Sequence, residues 1–172
     1  MPGSGPVGCA EVRRDLIDYA RGRLEPTSAA TIQAHLDDCP ACARQWPSSA
    51  QRIADCGSSV AYLHDDQFFA GWTFLLLNRH ATELWQLSPA ERGALIEDVT
   101  RVARAVGTAF GARKMNYELL GNAVPHIHWH LVPRLADDPA PRAPVWTVTH
   151  EPRRLTPAET AERIALIRSH LG

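Results

Sequence analysis

The sequence has a single lysine, Lys114, and no apolar run that approaches the ~18–20 residues of a membrane span. Its 18 basic residues are nearly balanced by 19 acidic ones, so the net charge of −1 gives no global reason to expect a nucleic-acid or membrane partner. Residues 1–8 are rich in Gly, Pro and Ser and contain no apolar signal-peptide core. We therefore expect a cytoplasmic protein whose first eight residues are disordered.

Cysteine is also scarce, and the four cysteines are not expected to form a disulfide framework in a reducing cytosol. Cys39 and Cys42 form a C-x-x-C pair, which in such a compartment indicates metal or redox use. His35 lies four residues before Cys39, so both lie on one face of a predicted helix, and Cys9 on an earlier helix supplies a fourth ligand. This set suits a tetrahedral Zn²⁺, whereas Cys56 lies outside the pattern.

The segment from Cys9 to Trp46 resembles the zinc-binding domain of bacterial anti-sigma factors. The likeness includes the upstream cysteine, the Tyr19–Leu24 segment and the H-x-x-x-C-x-x-C order that begins at His35. It implies a small all-helical zinc-binding domain over residues 9–50, with a sigma-factor-like protein as a partner or with zinc release on thiol oxidation. Zinc would also explain how so short a segment folds. The alternative is that these residues are ordinary helix-end residues.

Hydrophobic periodicity predicts the other elements of the chain. The first segment is expected to contain a helix from Cys9, a second helix capped by Thr27 or Ser28, and a short third helix at 41–46. Capping boxes at Ser88 and Thr156 predict the starts of two later helices. The strands are expected at 60–63, 72–77 and 114–120, and from residue 126 onward. The proline-rich segment 134–152 is expected to cross the surface as an extended arm.

Histidine occupies every second position at the start of the last predicted strand, as His126, His128 and His130. Because successive side chains of a strand point to opposite faces, the three imidazoles are expected to share one face, roughly 7 Å apart. The apolar residues between them are expected to face the core. A strand with one buried side and three imidazoles on the other is typical of a reactive site.

Residues 56–134 resemble the histidine triad (HIT) superfamily of nucleotide hydrolases and transferases. Beyond the alternating histidines, the likeness includes two early strands, the Asn-Arg-x-His sequence that ends at His80, one long helix, and the Leu-Gly-Asn sequence that ends at Asn122. The resemblance implies an α+β domain over residues 55–172, built on a HIT-type antiparallel sheet with one long helix. Members of the superfamily commonly pair as dimers, so a homodimer is also expected.

The resemblance further implies which residues react. His128 would attack the α-phosphate of a nucleotide and form a phosphoramidate that water later cleaves. A neutral imidazole can do so near pH 7, provided that its other ring nitrogen donates to an acceptor. His130 would contact the α-phosphate oxygens or the leaving group, His126 would support the site, and the Asn122 amide would contact phosphate.

The residues expected to bind the rest of the substrate are less sharply defined by the resemblance. Asp65 or Asp66 would hold the ribose, Asn116 is a further candidate contact, and His80 is either a substrate contact or a structural histidine. Two positions depart from the family pattern. Ala123 replaces a serine that phosphoramidate-cleaving members carry, and Trp72 replaces a histidine. These departures favour a dinucleoside polyphosphate, or a related nucleotide, as the substrate.

Three other interpretations of the histidines stay open at this point. Three same-face imidazoles could bind a metal, or the fold could be catalytically inactive. The chain could also be a regulatory or redox-sensing protein, which would use the zinc domain for a protein partner and the HIT fold as a nucleotide sensor.

Overall fold

The computed structural model describes residues 8–20, 24–39, 49–122 and 124–172. The chain divides into two compact units, Met1–Ser49 and Ala50–Gly172. The third helix expected at 41–46 lies outside the described residues, as does the segment expected to be disordered, except for Gly8.

The first unit contains two helices, α1 at Cys9–Ala20 and α2 at Pro26–Asp38. They bury Val12 of α1 and Ile32 of α2. The prediction that Thr27 or Ser28 caps α2 is wrong, because Glu25 occupies the N-cap position and Pro26 begins the helix. Proline suits the first helical position, since its fixed φ is already helical and its missing N–H is not needed there.

The second unit is built on a five-stranded sheet in which every neighbouring pair is antiparallel. Its spatial order is β1-β2-β3-β5-β4. The strands are β1 Arg52–Asp55, β2 Ser59–Leu63, β3 Thr73–Leu77, β4 Lys114–Leu119 and β5 His128–Arg134. The sequence did not predict β1, because a four-residue strand with one buried side chain, Ile53, leaves almost no periodic signal.

Two helices cover one face of this sheet. They are α3 at Pro89–Ala109 and α4 at Pro157–Arg168, and both begin at the predicted capping boxes. Leu75 and Leu131 of the central strands are fully buried against Val102 and Val106 of α3. The α+β class, the antiparallel sheet and the single long helix are thereby confirmed. In the described part of the chain, no helix combines the length and the apolar character needed to cross a membrane.

The opposite face of the sheet carries the histidines. In the β3–β5 register, Leu76 lies opposite His128 and Phe74 lies opposite His130, so these four side chains share that face. Helices α3 and α4 pack on the other face. The segment that follows β5 packs on the histidine face.

The arm, residues 135–156, is anchored rather than laid loosely over the surface. Its Val145 is buried in a cluster with Phe69, Trp72 and Val132. Arg134, at the end of β5, is only 5% exposed, and its guanidinium anchors the arm. It donates hydrogen bonds to the side chains of Asn116 and Asp138 and to the carbonyl oxygens of Ala140 and Ala143. As expected, the segment crosses the surface without forming a strand, and the buried Val145 anchors it.

Candidate functional site

His126 does not belong to the same strand as the other two histidines. β5 begins at His128, and the backbone of Ile127 bonds to the last residue of β3 and to the segment that follows it, with Leu77 N–H donating at 3.1 Å and Ala81 C=O accepting at 2.8 Å. The prediction that one strand face presents all three imidazoles is therefore wrong for His126. It holds for His128 and His130, whose ring centroids lie 5.1 Å apart.

His128 has a defined tautomer. Its Nδ1 atom lies 2.7 Å from the carbonyl oxygen of His126. Because a carbonyl oxygen can only accept, Nδ1 must donate, and the neutral ring carries its lone pair on Nε2. Burial lowers the pKa of His128 below the ordinary value of 6.5, more than the hydrogen bond to the His126 carbonyl raises it. At neutral pH the imidazole is therefore uncharged, with an available lone pair.

The side chain of His126 is buried and makes contacts of its own. Its Nε2 donates to the carbonyl oxygen of Leu77 at 2.9 Å, and its Nδ1 lies 3.5 Å from Nδ1 of His80, with the two rings stacked. Burial, together with the nearby His80 and His128, lowers the pKa of His126 to about 4. The site receives its most direct contact from the main chain of His126 rather than from its ring.

His130 is buried, with 8% of its surface exposed. The indole Nε1–H of Trp72 donates to Nδ1 of His130 at 3.3 Å. The ring of Trp146, from the arm, lies 5.0 Å away in an edge-to-face arrangement. Burial, with the nearby His128 and His64, lowers the pKa of His130 to about 3, so this ring is also neutral.

Two of the residues around His130 were not predicted from the sequence. His64 stacks on Trp72 with 4.0 Å between ring centroids, and Trp146 donates its indole N–H to the Glu118 carboxylate. The hydrogen bond between Trp146 and Glu118 joins residues 28 positions apart, and no local sequence pattern predicts it. His64 directly precedes the aspartates that were singled out, so an alternative register over residues 63–66 could have identified it.

Asp65 and Asp66 are both held by protein contacts. Asp65 accepts from Gln51 and, at 3.2 Å, from Arg154. Asp66 accepts from His150 at 2.7 Å and from the backbone N–H groups of Phe68 and Arg153. The predicted ribose contact through either carboxylate is untested and stays a prediction.

The Asp66 contact also fixes the charge of His150. The two ring nitrogens of His150 face acceptors, the Asp66 carboxylate and the Val148 carbonyl oxygen, so both must donate and the ring is an imidazolium. Burial opposes this charge, but the hydrogen bonds to Asp66 and Val148 outweigh it and raise the pKa of His150. This ion pair joins the arm to the segment after β2.

The remaining predicted substrate contacts lie at three different places. Asn122 is exposed in the turn before the histidines, and Ala123 lies outside the described residues. The carbonyl oxygen of the Asn116 side chain accepts from Arg134 at 2.6 Å, and His80 is exposed and stacks on His126. The structure thus brings His80 to the histidine cluster and ties Asn116 to the base of the arm. No observation tests the roles predicted for these side chains.

The first unit brings together three of the four predicted metal ligands. The ligand atoms of Cys9, His35 and Cys39 all lie within 4.8 Å of one another, and Cys42 lies outside the described residues. The two sulfur atoms are 3.8 Å apart, which is roughly the separation of two thiolates on one tetrahedral zinc with Zn–S bonds of ~2.3 Å. Nε2 of His35 is buried and has no hydrogen-bond partner among the described residues. These three residues therefore fit a zinc ion.

Comparisons with known families agree with this two-part organisation. Residues 47–137, more than half of the chain, match the model of the HIT domain, and the chain belongs to that family. Residues 9–43 match the model of an anti-sigma-type zinc-finger family. Both resemblances noted in the sequence are thereby confirmed. The HIT superfamily includes nucleotide hydrolases.

Solved structures of similar proteins share the fold. A histidine triad protein from Sinorhizobium meliloti is 27% identical with a TM-score of 0.63, covering 69% of this chain and 87% of that one. One from Bradyrhizobium japonicum is 29% identical with a TM-score of 0.63, covering 70% and 90%. A diadenosine triphosphate hydrolase from Plasmodium falciparum is 15% identical with a TM-score of 0.54, covering 73% and 78%, a likeness that shows the fold alone. Among curated protein sequences, none matches this chain.

Proposed function

We propose that this protein is a nucleotide hydrolase or nucleotidyl transferase that acts at an α-phosphate through a nucleotidyl-histidine intermediate on His128. The observation that carries the proposal is the 2.7 Å contact between Nδ1 of His128 and the His126 carbonyl oxygen. This contact leaves the Nε2 lone pair free to attack, and burial keeps the ring neutral at physiological pH.

The reaction would proceed in two displacements. In the first, Nε2 of His128 forms a bond to the α-phosphorus while the bond from that phosphorus to the bridging oxygen breaks, and the second nucleotide leaves with the bonding electrons. In the second, a water oxygen forms a bond to the same phosphorus and loses a proton to solvent, while the P–Nε2 bond breaks and Nε2 regains its lone pair. Donors aimed at the equatorial oxygens stabilise the charge that develops, and His130 and Asn122 are the candidate donors.

A dinucleoside polyphosphate, or a related nucleotide, is the substrate class that we favour. The support is the residue pattern: Ala123 and Trp72 stand where phosphoramidate-cleaving relatives carry a serine and a histidine. The Plasmodium falciparum protein of the same fold is a diadenosine triphosphate hydrolase, so diadenosine triphosphate is the first substrate to test.

The experiment is a turnover assay on the full chain with diadenosine triphosphate, in which AMP and ADP are separated by anion exchange. We expect equal amounts of both products, and a loss of at least about a hundredfold in His128→Ala, because the nucleophile is removed. His170→Ala is the matched control, since His170 is exposed near the C-terminus in the second unit. Unchanged turnover in His128→Ala would refute the proposal. Tight nucleotide binding without turnover would instead support the sensor function.

For the first unit, we propose a zinc site formed by Cys9, His35, Cys39 and Cys42. The cluster of the first three ligands and the buried, unpartnered Nε2 of His35 support it. Zinc bound there would hold α1 against α2 and contribute folding free energy to a unit whose described buried side chains are Val12 and Ile32. A regulatory role for this unit, through a sigma-factor-like partner or through thiol oxidation, is the second candidate function, and the cysteine ligands favour it because thiolates are oxidisable.

A further inference from the structure

Trp72 makes a hydrogen bond that restricts the chemistry of His130. The Nε1–H group of an indole can donate but cannot accept. Because Nε1 of Trp72 lies 3.3 Å from Nδ1 of His130, the imidazole nitrogen in this contact must be the acceptor. Both side chains are buried, with exposed fractions of 3% for Trp72 and 8% for His130, so water competes little for the bond.

We infer that Trp72 is a positioning residue that holds His130 in the tautomer with its proton on Nε2, so that the ring offers a neutral N–H donor to a phosphoryl oxygen of the substrate. This inference rests on the proposed function and deepens it. It assigns a role to one of the two positions at which the chain departs from the family pattern, where tryptophan replaces histidine.

The geometry around Trp72 is fixed independently of any substrate. The His64 ring stacks on the indole with an interplanar angle of 6°, and the ring centroids of Phe69 and Trp146 lie 6.2 and 5.2 Å from that of Trp72, in edge-to-face arrangements. The backbone carbonyl of Trp72 accepts from the His64 N–H and from the buried Gln67 amide, each at 2.9 Å. The indole N–H is therefore oriented before a substrate arrives, and its direction does not depend on an exposed rotamer.

The consequence is a pair of neighbouring imidazoles with opposite tautomers. His128 donates from Nδ1 to the His126 carbonyl and keeps its lone pair on Nε2, whereas His130 accepts at Nδ1 and keeps its proton on Nε2. With ring centroids 5.1 Å apart, one ring can attack phosphorus while the other donates to an oxygen of the same group. A proton on Nδ1 of His130 would point at the indole N–H, so the imidazolium form is disfavoured by the contact itself.

The first test is long-range ¹H–¹⁵N NMR of the full chain, labelled on histidine and free of nucleotide, with the His130 signals assigned by their loss in His130→Gln. We expect His130 in the Nε2–H form and His128 in the Nδ1–H form at neutral pH. An Nδ1–H form or an imidazolium at His130 would overturn the inference. Because this NMR test needs no turnover, its result is separate from the success or failure of the proposed function.

The second test removes the donor but keeps an aromatic ring. In Trp72→Phe, we expect the His130 signals to change and kcat for diadenosine triphosphate to fall roughly tenfold, about the effect of one hydrogen bond, with KM little changed. Trp72→His restores a donor and is expected to recover part of kcat. Trp146→Phe is the matched NMR control for a changed ring contact without loss of the donor, because that indole also contacts the His130 ring but donates to Glu118, and His130 is expected to keep the Nε2–H form in it. Unchanged His130 signals and unchanged kcat in Trp72→Phe would show that Trp72 only fills space.

Discussion

The carbonyl oxygen of His126 accepts a hydrogen bond from Nδ1 of His128 at 2.7 Å, so the first histidine orients the second through its main chain. His126 lies just outside β5, and no backbone N–H of the described residues donates to its carbonyl oxygen, which therefore is available to His128. The side chain of His126 is meanwhile held by the Leu77 carbonyl and stacks on His80. A break in the strand thus sets the tautomer that the proposed reaction requires.

The buried neutral histidines predict how stability depends on pH. The pKa values of His126 and His130 are lowered to about 4 and about 3, against the ordinary value of 6.5 in the unfolded chain. Between pH 6.5 and about 3 the unfolded state therefore binds more protons than the native state, and the free energy of unfolding falls as pH falls. His150, whose pKa is raised, acts in the opposite direction, but above pH 6.5, where its contribution to stability is lost as pH rises.

Urea unfolding, followed by tryptophan fluorescence at several values between pH 7 and pH 4, measures this dependence. We expect a steady decrease in the free energy of unfolding, with a smaller slope in His130→Gln, which removes one of the depressed groups. A parent protein that gains stability as pH falls through this range, or a His130→Gln variant with an unchanged slope, would contradict the protonation states assigned to the site.

Glycine 71, just before Trp72, is expected to be far less tolerant of substitution than Gly57. Both have positive φ, +86° and +102°. A Cβ at Gly71 would lie 2.5 Å from the Phe110 ring, whereas nothing lies within 4 Å of a Cβ at Gly57. We expect Gly57→Ala to cost about 1 kcal/mol for the left-handed backbone, and Gly71→Ala to cost ~1–3 kcal/mol more through overpacking.

Thermal or urea unfolding of the two alanine variants separates the backbone effect from the clash. Adding Phe110→Leu to Gly71→Ala should recover part of the lost stability, since the contact is with the aromatic ring. Equal losses in the two single variants would mean that the Phe110 ring moves aside at little cost.

Zinc content is the readout for the first unit. We expect elemental analysis to find one zinc per chain in the parent protein and much less in Cys39→Ser, since a hydroxyl replaces a thiolate ligand. Cys56→Ser is the matched control, because Cys56 belongs to the second unit and is buried beside Ala61 and Val102 in its core. A metal-free parent with α1 and α2 folded, or equal loss of zinc in both variants, would rule out the proposed ligands.

Sequence reasoning was most successful where the signals were local. The capping box at Ser88 and the periodic apolar face that follows it define α3 almost to the residue, and four of the five strands carry enough β-branched or aromatic residues to be recognised. The cysteine and histidine spacing of the first unit likewise depends on helix geometry, which brings His35 and Cys39 together.

The features that the sequence missed depend on contacts between distant segments. His126 leaves the strand because Ile127 bonds to Leu77 and Ala81, some fifty positions earlier in the chain. The approach of Trp146 to His130 depends on how Arg134 and the buried Val145 anchor the arm, which proline content does not specify. Local periodicity carries no information on either relationship.

The most direct test of the proposed chemistry is rapid quench of the full chain with radiolabelled diadenosine triphosphate, followed by peptide mapping under alkaline conditions that preserve phosphoramidates. A nucleotidyl adduct on His128 that forms and decays at rates compatible with turnover is the expected result, with no adduct in His128→Ala. Turnover without any adduct, or an adduct on His126 or His130 in place of His128, would contradict the assignment of His128 as the nucleophile.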